Sequence, residues 1–254
     1  MSGSLILADN RFLDGVPVAT GTEAGYDALH VRDLRTYTHW RAETSGLSRI
    51  AVDCTASMGA DTLAVARHNL GTVGSQVSVE SSDDGVIWTT RASVFVPATD
   101  RPLLKRWGTA SARHWRVSFN AQTAAPQVAV LMIGRAIAFP RRPDAPFAWR
   151  EVKQESDRAL SKSGQLIGVV ARFKGLSLSP QWSHIEAAFV DNQLFPFYRD
   201  YAGAGNPFFW SWDPDTDPGE VYFVRLREGY SFAPAQSLRS HYDRVALEME
   251  GILE

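Results

Sequence analysis

Short runs of alternating apolar and polar positions, cut by turn residues, fill the first half of the chain. They are "RIAVDCT" (49–55), "TLAVARHN" (62–69), "SQVSVESS" (75–82), "VIWTTRASVFVP" (86–97), "RHWRVSFN" (113–120) and "QVAVLMIGRAIAF" (127–139). A period of two sends successive side chains to opposite faces, so each run predicts a strand. Between two of them, "SDDG" (82–85) predicts a tight turn, because Gly85 can adopt the positive φ that closes it. Turns this frequent predict an all-β sandwich.

The pattern breaks at "FPRRPDAPF" (139–147). Three prolines in nine residues disrupt both ladder and helix hydrogen bonding, so this stretch reads as a linker. Beyond it, "GQLIGVVARFKGLSL" (164–178) predicts a strand or a hairpin. One helix is predicted in "SPQWSHIEAAFVDNQLFPFYRDYA" (179–202). Ser179 is its cap, Pro180 lies in its first turn, and Trp182, Ile185, Phe189 and Val190 recur at helical spacing. Pro196 limits the helix or starts a second turn. "NPFFWSW" (206–212), "EVYFVRLRE" (220–228) and "YDRVALEMEGI" (242–252) return to strand character. The expected organisation is a β-sandwich over 1–138, the linker, and a small β-sandwich with a helix over 148–254.

Chemistry is sparse. The run "WDPDTDPGE" (212–220) has the alternating aspartates of a calcium loop. With Asp213 as its first position, an EF-hand loop would need glycine where Pro218 stands and a bidentate glutamate where Val224 stands. A Pro/Asp/Gly turn between two strands is the better reading, with no metal site. No G-x-S-x-G, G-x-x-x-x-G-K-[ST] or H-E-x-x-H motif occurs, and the six histidines are dispersed. The expectation is a protein that is not an enzyme and calls for no cofactor.

Composition narrows the partners. The net charge of −2 comes from scattered residues, which argues against nucleic acid. No apolar run approaches the roughly 20 residues needed to cross a bilayer. Cys54 is the single cysteine, so an intrachain disulfide is impossible. The start "MSGSLILADNRF" lacks the basic region of an export signal, which predicts assembly in the cytoplasm.

Several stretches carry a resemblance. "ALHVRDLRTYTHWRA" (28–42), "SRIAVDCTA" (48–56), "QVSVESSDDGVIWTT" (76–90), "SARHWRVSF" (111–119) and "LMIGRAIAF" (131–139) resemble, in that order, the motifs of discoidin-like (factor 5/8 type C, galactose-binding-like) domains. That resemblance implies a jelly-roll sandwich with Trp40, Trp88 and Trp115 as core aromatics and Arg113 or Arg116 holding its end by hydrogen bonds. It also implies binding of sugars, or sometimes of lipid heads, through end loops, with an inert spacer of the same fold as the alternative. By position, His68, Asn69 and Trp107 fall in loop segments and have suitable chemistry, the indole as a platform for a sugar ring.

The second half resembles distal-tail (Dit-like) minor tail-tip proteins of lambda-type long-tailed phages. The features shared are an early strand, the helix with its aromatic end, "NPFFWSWDPDTDPGEVYFVRL" and the closing "YDRVALEMEG". This resemblance implies a homo-oligomeric ring, usually a hexamer, between tail tube and tail hub in the virion. The N-terminal domain would be displayed towards a host surface polysaccharide. On an alternating strand Phe208 and Trp210 share one face, leaving Phe209 on the other as the expected contact with a neighbouring subunit. The alternative is a bacterial carbohydrate-binding module protein; a glycosidase lacks an assignable carboxylate pair.

Overall fold

The computed structural model describes residues 3–148, 151–236 and 240–252, with backbone alone at positions 155 and 252. It is mainly β. The chain divides into two compact units, Met1–Pro140 with Phe208–Tyr222, and Arg141–Pro207 with Phe223–Glu254. The first crossing thus falls inside the proline-rich stretch 139–147. Partition by packing differs from partition by chain order at Phe208–Tyr222, which belongs with the first unit.

Two long antiparallel strands, Gly46–His68 and Leu103–Ala121, organise the first unit. The runs 49–55 and 62–69 are segments of one strand, interrupted by a register shift between Asp53 and Met58 where Thr55 takes φ 61°. Before the break the strand pairs with Val18–Ala19, and beyond it with Gln127–Gly134. A bulge of this kind lets one strand bend and serve both layers of a sandwich. Gln76–Ser82 pairs with the far side of Leu103–Ala121, and Thr89–Phe95 closes that edge.

Alternation sends Ile50, Val52, Trp115, Val117 and Phe119 into one cluster with Trp40, Leu63, Val65, Leu131 and Ile133. Trp40 and Phe119 lie 5.7 Å apart between ring centroids, and both are fully buried. Trp115 is buried as expected, its indole N–H donating to the carbonyls of Ala112 and Met58. Trp88 is not a core residue: it is half-buried outside the cluster.

Leu5–Leu7, which the pattern of alternation did not mark as a strand, pairs antiparallel with the 209–211 segment and with Ile137–Ala138. Ladder hydrogen bonding from a distant segment draws "FFWS" into the first unit. Phe208, Phe209 and Trp210 are all fully buried within the chain. The expectation that Phe209 presents an uncovered ring to a neighbouring subunit is therefore corrected.

The acidic run forms consecutive turns. Asp213 is buried, its Oδ1 accepts the Thr216 N–H at 3.3 Å, and its carbonyl accepts the Asp217 N–H at 2.9 Å. Val224 lies in the strand Val221–Leu226.

In the second unit, Glu151–Leu160 and Leu166–Leu178 form a hairpin, and the inner part of the latter pairs with Met249–Ile252. The predicted helix begins later than Ser179. Trp182 and Ile185 instead lie in two short strands, Gln181–Trp182 and Ile185–Glu186, paired with Val245–Ala246 and His241–Tyr242. Helical turns run from Ala187 to Asp200 with a π segment at Val190–Leu194. Pro196 explains that segment, since its missing N–H and bulky ring disrupt the i→i−4 ladder there. Phe195, Tyr198 and Phe232 pack as an aromatic cluster on the last turn.

Phe209→Asp is expected to prevent folding of the first unit, because an unpaired carboxylate replaces a fully buried ring. Phe209→Ala should cost about 3–5 kcal/mol. Circular dichroism melting and limited proteolysis of the full chain measure both; native-like stability in Phe209→Asp would refute the burial.

Candidate functional site

The outward face of the first unit's sheet carries a ladder of polar side chains. Arg49 and Ser78 lie opposite Ser118 from either side, Glu80 opposite Arg116, and Asp53 and Ser82 opposite His114. Because Trp115 and Val117 point inward, the pleat forces His114, Arg116 and Ser118 outward. The order "RHWRVSF" dictates this placement.

Arg116 is the hub. Its Nε donates to Glu80 Oε2 at 2.7 Å, and Ser118 donates to the same oxygen at 3.0 Å. Its guanidinium carbon lies 3.9 Å from the centroid of the Trp88 ring, close enough for a cation–π contact. Trp88 also meets His114 edge-on at 6.5 Å, and its indole N–H donates to the Gly85 carbonyl at 3.2 Å. Gly85 takes φ 74° in the predicted turn, where Asp84 accepts the N–H groups of Val86 and Ile87. Those bonds push the Asp84 carboxyl down to about 2. Beside the ladder, Arg113 grips Asp53 through two bonds of 2.8 and 2.7 Å.

The hydrogen bond from Arg116 holds the Glu80 carboxyl below its usual range, and the bonds from Arg113 and the Thr55 N–H do the same for Asp53. Both acids are thus anions matched to guanidinium partners, and neither is poised to donate a proton near neutrality. The face offers hydroxyls, a carboxylate, a guanidinium and an indole edge, which is hydrogen-bonding chemistry suited to a polyhydroxylated ligand. Arg113 and Arg116 tie neighbouring strands together rather than closing an end. Spacing could have located this face, since an arginine beside an inward tryptophan must lie on the outer side.

The three residues nominated as sugar contacts are placed otherwise. His68 ends a long strand and is buried; its Nδ1 accepts the Leu70 N–H at 3.2 Å, so its Nε2 is the nitrogen that donates, to the Arg101 carbonyl at 2.9 Å. Asn69 donates to the Ala125 carbonyl at 3.0 Å and accepts the Gln127 N–H at 2.8 Å. Both side chains are engaged in holding loops. Trp107 lies within the strand Leu103–Ala121, not a loop, and is half-buried against Trp115 with its N–H donated to Ala60. Its neighbour Arg106 pairs with Thr62, six residues along the strand from His68, roughly 20 Å away at strand rise. The structure does not bring the three together.

Among the described residues, no group of three or more His, Cys, Asp or Glu side chains gathers as a metal site, and no helix is long and apolar enough to cross a membrane.

Burial pushes the His68 imidazole down to about 4, so the fold favours its neutral form. The stability from this preference is complete above the unfolded value near 6.5 and declines as pH falls through that value towards 4. The full loss is on the order of 3 kcal/mol. Denaturant melts of wild type and His68→Gln at pH 7.5 and pH 5 check this. The wild type should lose about 2 kcal/mol more than the variant over that interval; equal losses would contradict it.

No family model matches the sequence, and no curated protein matches it. Over about half its length the chain is similar to solved carbohydrate-binding modules. A pectin-binding module shares 15% identity at a TM-score of 0.41, covering 46% of this chain and 88% of that one. Chitosan-binding module 1 from a Paenibacillus sp. IK-5 chitosanase/glucanase shares 18% identity at 0.41, covering 49% and 97%. A CBM32 module from Clostridium perfringens, in complex with GalNAc-β-1,3-galactose, shares 13% identity at 0.43, covering 50% and 99%.

Proposed function

We propose that the chain is a structural, non-catalytic component of a long-tailed phage tail tip or baseplate. In this reading copies of the chain form a ring between the tail tube and the tail hub of the virion. The observation that carries it is the hairpin Glu151–Leu178. Over most of its length both faces lie in water, although it carries Leu160, Leu166, Ile167, Val170 and Phe173. A two-stranded ribbon is marginal in water by itself. Exposed apolar surface on such a ribbon is the mark of a part that another molecule covers. The aromatic and proline order of the second half, which resembles distal-tail proteins, points to assembly as the reason.

The second reading is a carbohydrate-binding module protein of bacterial origin, and the Arg116–Glu80–Trp88 face favours it. The two readings are compatible within one virion protein if that face meets a host surface polysaccharide. Weak single sites would then gain avidity from several copies in one ring.

Light scattering across a concentration series separates the readings. A mass several times the 28.1 kDa of one chain is expected. A monomer at every concentration that nonetheless binds on a glycan array, with binding lost in Trp88→Ala, would favour the module reading instead.

A further inference from the structure

Of the arginines in the outward ladder, Arg113 holds Asp53 and Arg116 holds Glu80, but Arg49 has no acid of its own. Its Nε is buried and makes no hydrogen bond, and among the described residues its guanidinium forms no ion pair. Arg11 and Arg41 bury such a nitrogen too, yet ion pairs with Asp9, Asp14 and Glu23 neutralise their charges. A donor taken out of water without an acceptor costs stability, and the fold supplies no acceptor to the Arg49 side chain.

The pleat fixes where Arg49 points. Ser48 and Ile50 are buried, so Arg49 between them faces outward, and its backbone N–H is held by the Thr20 hydroxyl at 3.0 Å. Ser118 lies directly opposite it and Ser78 beyond Ser118, while Arg116, opposite Ala51, is its diagonal neighbour. After the hydrogen bond from Arg116, the Arg49 charge also helps to hold the Glu80 carboxyl below its usual range, so the two side chains share one neighbourhood. Both bonds to Glu80 end on Oε2, which leaves Oε1 able to accept another. Trp88, stacked on Arg116 and half-buried, stands on the far side of that acid. The face thus carries one unneutralised cation, one carboxylate oxygen with capacity to accept, hydroxyls between them and an indole beyond.

We infer that this face binds an acidic saccharide, with the carboxylate of a hexuronate unit on Arg49, ring hydroxyls on Glu80 and Ser78, and a further sugar against Trp88. The inference rests on the carbohydrate-binding reading above and names the class of sugar. Charge selects that class. A planar guanidinium matches a planar carboxylate, and a charge-assisted bond is stronger than one to a neutral hydroxyl. Glu80 restricts the class further, because it repels a ligand that is anionic throughout and accepts from one that carries hydroxyl donors. A hexuronate has its anionic group on one side of the ring and hydroxyls on the other. The strands of Arg49 and Glu80 are two spacings apart, roughly 10 Å, and the long side chains between them bring the gap within reach of one or two sugar rings.

Titration calorimetry on the full chain tests this with trimers of galacturonate, mannuronate and glucuronate, and with the same trimers after reduction of their carboxyls to neutral alcohols. Wild type should bind at least one acidic trimer about tenfold more tightly than its reduced form, and salt should narrow the difference. Arg49→Gln should abolish the preference with an unchanged melting temperature, since the Nε has no partner to lose. Arg49→Lys, which keeps the charge without the fork, should retain part of it. Equal binding of acidic and reduced trimers, or binding only of neutral glycans on an array, would overturn the inference while the carbohydrate-binding reading stands. An acidic preference that survives in Arg49→Gln would put the carboxylate elsewhere and overturn the role of Arg49. Failure to bind any trimer or any glycan of the array would overturn both.

Discussion

Pairing between Gly46–His68 and Leu103–Ala121 is the constraint from which the first unit follows. In an antiparallel ladder the register decides which residues face inward together, and a slip of one residue would invert every face. Here it sends Val52 and Trp115 to the core from directly opposite positions. The interruption after Asp53 leaves residues 54–57 out of the pairing, and the ladder resumes at Met58 with the core face restored. Without that break a strand of 23 residues could not bend enough to serve both layers.

The same ladder determines what the polar residues do. His114, Arg116 and Ser118 face outward because their neighbours face inward, and register brings Glu80 against Arg116. Polar groups at the ends of the strands have another role. His68 and Asn69 hold backbone groups that would otherwise lack partners where strands give way to loops. Their side chains are as suited to a sugar hydroxyl as to a peptide carbonyl, and the fold uses them for the latter.

Apolar side chains are used in two opposite ways. The "FFW" of Phe208–Trp210 is covered completely, because Leu5–Leu7 completes a ladder beside it. The apolar residues at 160–173 of the hairpin Glu151–Leu178 are left exposed on a ribbon whose faces lie in water over most of its length. Both stretches read from the chain as strands rich in large apolar residues. Burial within the chain accounts for the first, whereas the second keeps its apolar side chains in water within one chain.

Local pattern by itself determined the strand segments of the first half, the turn at Gly85, and the turns of 213–217, where prolines and glycine follow the aspartates. Each depends on residues within a few positions of one another, and backbone sterics and side-chain period act at that range. Tertiary structure alone decided the rest. Leu5–Leu7 became a strand, and Phe209 a core residue, because two segments some 200 positions apart pair. The helix began at Ala187 rather than after Ser179 because Trp182 and Ile185 found strand partners at Val245 and Tyr242. Trp107 and Trp88 exchanged expectations, one moving from loop to strand and the other from core to surface, because a period of two assigns faces and leaves their partners open. The physical reason is common to all of them. Hydrogen-bond ladders are completed by whichever segment the whole chain brings alongside, and no local spacing records that choice.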